Sequence, residues 1–217
     1  MGSVVEITPN TGNAGHTKAT RQDWLTIARD ILVHDGVGEV KILKMAETLG
    51  VSRSSFYWYF ENRNDLLDAL LAEWKDRNTA RIVQRCEAPS GNITEALCNF
   101  FLCFVDPTQF DTGLDFAVRE WARRDDKLRA SVDTADAERI AAATHMYARH
   151  GYAPKDADAR ARILYFMQLG YHALKVVEPM DLRMSRVGPY IEGFTGQPAN
   201  PQALQAFVDL IRERGFR

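Results

Sequence analysis

Between Lys41 and Arg63 the chain reads KILKMAETLGVSRSSFYWYFENR, and this stretch holds its densest set of groups suited to non-covalent recognition. Arg53, Ser54 and Ser55 come directly after Gly50-Val51-Ser52, and Tyr57, Trp58 and Tyr59 follow. A guanidinium bonds guanine O6 and N7 through two parallel donors, and a serine hydroxyl reaches a base or a phosphate. Tyrosine hydroxyls at the same edge can bond phosphates, and Lys41 and Arg63 flank them with positive charge. The chemistry implied is the reading of a nucleic acid rather than the breaking of a bond. At several positions alternatives stay open. Arg53 can read a base, touch a phosphate or stay solvated, and Trp58 can pack on DNA or serve as a half-exposed structural aromatic. An aromatic run such as 56–60, taken alone, is more often core than groove contact.

Two short helices must position these groups. Ile42, Met45 and Leu49 give a helix at about 41–48 one buried face. Gly50 can turn left-handed without steric cost, Val51 plugs back toward the core, and Ser52 is suited to cap a second helix at about 53–59. Phe56 and Phe60, four apart, should face inward, and Tyr57, Trp58 and Tyr59 cannot all be buried in so small a unit. Two short helices about a glycine turn form a helix-turn-helix, whose second helix fits the major groove.

Over the whole chain the charge gives no such signal. The 217 residues carry a net charge of −2, with 46% hydrophobic and 26% charged residues. That composition fits a folded chain with a real core. Residues 1–63 hold seven Lys/Arg and seven Asp/Glu, whereas 41–63 alone hold four against two. Recognition of DNA therefore rests on local pattern, and homodimerisation would double the local excess.

Apolar residues recur at helical spacing and almost nowhere at period two, so the expected fold is all-α. After a polar arm at 1–18, helices are expected near 20–34, 41–48, 53–59, 64–86, 92–105, 110–124, 126–150 and 154–178. A short helix near 183–193 and a last one after Pro201 complete the layout. Phe101, Phe104, Phe116, Trp121, Tyr147, Phe166 and Tyr171 are the candidates for lining a pocket between helices, which favours a small apolar or aromatic ligand. The helix at 154–178 is apolar on more than one side, and Leu204, Phe207, Val208 and Ile211 form a stripe. With Tyr165, Leu169, Gly170, His172 and Val176 they make the expected dimer interface, where Gly170 would allow close backbone approach.

The run from Arg21 to Leu67 resembles the DNA-binding domain of the tetracycline-repressor (TetR) family of bacterial transcriptional regulators. The matching pieces are Ala28, Ile31, Leu32 and Gly36, then Met45-Ala46, Leu49-Gly50-Val51-Ser52 and Phe56-Tyr57-Trp58-Tyr59-Phe60, followed by Arg63 and Leu66-Leu67. Lys41 stands where the family usually has a capping Thr, and Arg63 where it usually has Lys. The resemblance implies a helix-turn-helix domain at 19–66, joined to a ligand-binding and dimerisation domain at 67–217. It implies a homodimeric repressor on a palindromic double-stranded operator. Effector binding would shift the helix at 110–124 and tilt the one at 64–86, with Arg119, Arg123 and Arg124 near the moving end but read as solvated.

Other classes fit less well. There is no G-x-S-x-G, P-loop, G-x-G-x-x-G or H-E-x-x-H, so no enzyme is expected, and neither a cofactor nor a metal. His145 and His150 fall on different sides of a helix, and Asp111 with Asp115 lack His or Cys companions. Cys86, Cys98 and Cys103 form no C-x-x-C pair, the N-terminal stretch lacks the pattern of a signal peptide, and Glu6 breaks a myristoylation motif. A cytoplasmic protein without membrane contact is expected. The rival reading is a helical interaction-only dimer whose helix-turn-helix no longer binds DNA.

Overall fold

The computed structural model describes residues 19–106 and 108–215. The expected arm at 1–18 lies outside the described residues. Ten α-helices follow one another: α1 Arg21–Asp35, α2 Ile42–Leu49, α3 Arg63–Trp74, α4 Ala80–Glu87, α5 Ile93–Val105, α6 Thr112–Ala122, α7 Asp126–Arg149, α8 Pro154–Ala173, α9 Met180–Thr195 and α10 Pro201–Glu213. No strand occurs among the described residues.

Local chemistry sets many of the helix starts. Thr20 and Asp23 form a reciprocal capping box on α1. Asn62, Asn92, Asp111, Asp125 and Asn200 each accept from backbone N–H groups in the first turns of α3, α5, α6, α7 and α10. Pro154 and Pro201 occupy first-turn positions where their missing N–H is not needed.

Four elements depart from the sequence reading. The segment expected as a helix at 53–59 is a 3-10 turn, Arg53–Trp58, closed by Ser55 N to Ser52 O at 3.1 Å and Tyr59 N to Phe56 O at 3.0 Å. Tight i to i+3 bonding suits so short a piece. Ser52 does not cap it through its side chain; its Oγ meets Ser54 Oγ at 2.8 Å instead. The run at 64–86 is interrupted by a π-helical turn, Lys75–Thr79, which widens the helix and turns Asn78 and Thr79 into the interior. Finally α8 stops at Ala173, short of 178, because Lys175 takes a left-handed φ of +50° and Pro179 follows. The stretch after it forms a longer helix than expected, α9, with Pro189 inside it.

Two apolar cores result. The first gathers Trp24, Leu25, Met45, Phe56, Phe60, Leu66 and Leu70, but also Leu114, Val118 and Ala122 of α6 and Leu128 and Val132 of α7. The second is built from α4, α5, the C-terminal half of α7, and α8 to α10. Helix α6 thus packs against α1 and α3, so a boundary at 66 does not separate the two cores.

A buried ionic cluster ties them together. Asp115 and Arg139 both have 0% side-chain exposure and meet at 3.0 Å. Asp115 also accepts from Trp74 Nε1 at 2.7 Å and from Arg119 Nε at 2.8 Å. Arg139 reaches Thr79 Oγ1 at 2.9 Å and Tyr165 OH at 3.1 Å, while Arg119 and Tyr165 both bond Asp136 at 2.6 Å. Burial alone would raise the Asp115 pKa; the two guanidiniums and the hydrogen bonds from Arg119 and Trp74 outweigh it and hold the carboxyl below its usual range. Arg119 is therefore an internal residue, whereas Arg123 is exposed beside Glu120.

Candidate nucleic-acid interface

The first core fixes what the helix-turn-helix displays. Trp24 meets Phe56 edge-on at 5.2 Å, Phe56 stacks on Phe60 at 5.3 Å, and the Arg21 guanidinium lies 5.0 Å over the Phe60 ring. With these two rings turned inward, two of the three residues between them are forced out: Tyr57 is 52% exposed and Trp58 64%. Gly50 closes α2 in the left-handed region, φ +66°, and Val51 N returns to Ala46 O at 3.0 Å. Ser52, Arg53 and Ser54 are exposed at the same edge, and Arg53 forms no ion pair among the described residues.

Other candidates are placed differently. Ser55 is buried and donates to Ser52 O at 2.8 Å, and Tyr59 packs partly against the core, so neither offers a free hydroxyl-bearing face comparable to Tyr57. Lys41 is exposed but 2.9 Å from Glu39, and Lys44 bonds Asp35 at 2.8 Å. These pairs reduce the positive field at the edge. Arg63 turns inward: its Nε donates to Val40 O at 2.7 Å and its Nη2 to Val37 O. It holds the 37–40 segment that leads into Lys41, which gives it a positioning role. Arg63→Ala should lower unfolding free energy by about 1–3 kcal/mol, since two charge-assisted hydrogen bonds are lost. Urea denaturation checks this; an unchanged midpoint would contradict the positioning role.

In the second core, a partly open cavity lies between α5, α8, α9 and α10. Of the seven expected ligand contacts, Phe101, Phe104 and Tyr171 line it. The other four do not. Tyr147 is fully buried in the core, with its hydroxyl 3.4 Å from Phe194 O. Trp121 packs against the first core, Phe116 lies on a shallow surface beside Arg119 and Asp136, and Phe166 is exposed on the outer side of α8. Periodicity marked all of them as apolar, but only the packing of α9 and α10 selects a cavity wall. Arg183, Met184, Val187 and Tyr190 of α9 complete that wall and were missed. The short helix expected near 183–193 does carry them, but nothing in its sequence pattern marked its face toward the cavity.

Several expected interface residues also face inward. Tyr165 is committed to the ionic cluster, Ile211 is buried against its own chain, and Phe207 lines the cavity. His172 packs against the rings of Phe104 and Phe110, at 5.5 and 6.4 Å. Gly170 has open space where a side chain would stand, so no close approach within the chain requires it. Leu169, Leu204 and Val208 are half-buried and Val176 is exposed.

Burial and then the nearby Arg183 push the His172 pKa down to about 4. In an unfolded chain it titrates near 6.5. Between those values the unfolded state binds a proton that the folded state does not, so stability falls as pH drops from about 6.5 toward 4. His172→Phe should flatten this part of the profile, measured by urea midpoints across that window; an unaltered slope would count against a neutral, half-buried imidazole.

Taken together, the chain is an all-helical protein with an N-terminal helix-turn-helix and a second helical core that contains a cavity. Residues 25–70 match the family described as "Bacterial regulatory proteins, tetR family". The class A tetracycline repressor protein from transposon 1721 of Escherichia coli is 35% identical over 71 residues, which is 33% of each chain. The transcriptional regulator SrpR of Pseudomonas putida is 32% identical over 59 residues, 27% of this chain and 28% of that one. The matched region thus spans a third or less of these two relatives. At the level of fold the likeness runs further. AmtR of Mycobacterium smegmatis superposes with a TM-score of 0.61 at 20% identity, over 97% of this chain and 99% of that one. GusR of Salmonella enterica gives 0.55 at 14% identity, over 89% and 93%.

Proposed function

We propose that this protein is a sequence-specific transcriptional regulator that binds double-stranded DNA as a homodimer and is a repressor released by a small, mainly apolar effector. The observation that carries the reading is the exposed edge of Ser52, Arg53, Ser54, Tyr57 and Trp58, held out by the inward rings of Phe56 and Phe60. Residues 19–66 serve as the DNA-binding unit and 67–217 as the sensing and dimerising part. Support for a dimer comes from exposed apolar residues on α8 and after it: Ile163, Phe166, Leu174 and Val177. Two copies related by a two-fold axis fit a palindromic operator. No helix among the described residues is long and apolar enough to cross a membrane, in keeping with a cytoplasmic site of action.

Effector control requires a ligand that prefers one arrangement of the two helix-turn-helix units over another. The ionic cluster offers a physical link, since it joins Tyr165 of α8 to Trp74 at the end of α3.

The test is selection of bound fragments from the source genome with purified protein, followed by footprinting at two salt concentrations. A protected, roughly palindromic site with affinity falling steeply in salt is expected. Recovery of no fragment, with or without cavity ligands, would favour the interaction-only dimer.

A further inference from the structure

We infer that the cavity between α5, α8, α9 and α10 is a binding site for a small molecule with an apolar body and a single carboxylate, which Arg183 holds. The inference deepens the sensing role proposed above, yet binding itself requires no DNA.

The wall is apolar over most of its area, with Phe101, Phe104, Met167 and Phe207 around it. Its polar groups include Gln168 and the Tyr190 phenol, and Tyr171, Glu178 and Arg183 stand together at one part of the wall. Glu178 is already satisfied. It accepts from Arg186 and, at 3.1 Å, from the Tyr171 hydroxyl, and the Arg186 hydrogen bond comes first among the effects that hold its carboxyl below the usual range. Glu178 and Arg186 therefore cancel as a pair. Arg183 stands outside that hydrogen-bonded pair, although its charge is a lesser cause of the Glu178 shift: the guanidinium carbon sits 5.6 Å over the Tyr171 ring, and Arg183 forms no ion pair within 4.0 Å among the described residues.

His172, behind this end of the cavity, stays neutral above about pH 4 and adds no second cation. The polar end thus carries two guanidiniums against one carboxylate, a net charge of about +1 facing an apolar chamber. A cationic ligand is repelled there. A phosphate monoester, with nearly two charges, would leave one uncompensated against aromatic walls. One carboxylate matches one planar fork, charge for charge, and the ring of Tyr171 keeps that fork from swinging away.

The experiment is titration calorimetry on the full-length, DNA-free protein with phenylbutyrate and octanoate, set against the neutral phenylbutanol and octanol. Both acids should saturate one site per chain and bind at least about tenfold tighter than the matching alcohols, as a charge-assisted pair implies. Arg183→Gln should remove that advantage while leaving alcohol binding unchanged, and Arg183→Lys should restore part of it. Arg183 is half-exposed and forms no ion pair among the described residues, so circular dichroism should show an intact fold. Equal binding of acids and alcohols, indifference of the acids to Arg183→Gln, or no binding of either series would each overturn the site. Acid binding that leaves an established operator complex untouched would instead overturn the sensing role and keep the site.

Discussion

Asp115→Asn is expected to lower the unfolding free energy by about 3–5 kcal/mol, the range for removing one partner of a buried ion pair. The mechanism is a stranded charge. Arg139 is fully buried, and its other partners are the neutral hydroxyls of Thr79 and Tyr165 and a distant Asp136 oxygen at 3.9 Å. Without the Asp115 charge the guanidinium stays desolvated and poorly compensated, and Trp74 Nε1 loses its anionic acceptor. Urea denaturation measures the loss. The double variant Asp115→Asn/Arg139→Met should recover much of it, because a hydrophobic replacement of a buried pair is often tolerated. A single variant within about 1 kcal/mol of the parent would show that the cluster contributes little. Under the proposed function the same variant should also blunt effector response, since the cluster bridges α8 and the end of α3.

The second large effect concerns DNA. Arg53→Ala should weaken operator binding by about ten- to a hundredfold, corresponding to roughly 1–3 kcal/mol for a bidentate base contact. The unfolding midpoint should not move, because Arg53 is exposed and forms no ion pair among the described residues. Tyr57→Phe, which removes one exposed hydroxyl, should cost less and act evenly across related sites, as a phosphate contact does. Electrophoretic mobility assays with the selected operator and with point-substituted operators separate the two behaviours. If Arg53→Ala leaves affinity unchanged, the recognition edge has been placed wrongly. A loss equal on every sequence would make Arg53 a phosphate contact.

Placement of the remaining cations differs from what residue type alone conveys. Lys41, Lys44 and Arg63 read as a positive rim, yet the first two are paired with Glu39 and Asp35 and the third with backbone carbonyls. A sequence shows that a cation is present but not which neighbour takes it, because Asp35 and Lys44 are separated by a helix end and a turn.

What the sequence determined by itself is local. Helical spacing, the proline breaks, and caps such as Asn62 and Asp125 depend on residues a few positions apart, so the all-α class and most helix limits follow from them. The block from Gly50 to Phe60 is equally local: two inward rings four apart oblige Tyr57 and Trp58 to point outward. Tertiary structure decided everything that joins distant segments. The π-turn at Lys75–Thr79 is bound up with contacts from Arg139 and Asp111, 60 and 33 residues away from the Thr79 and Asn78 they meet. The cavity exists because α9 folds across α5 and α8, which separates Phe101, Phe104 and Tyr171 from equally aromatic residues that became core or surface. Apolar periodicity records that a face must be covered; only the packed chain determines what covers it.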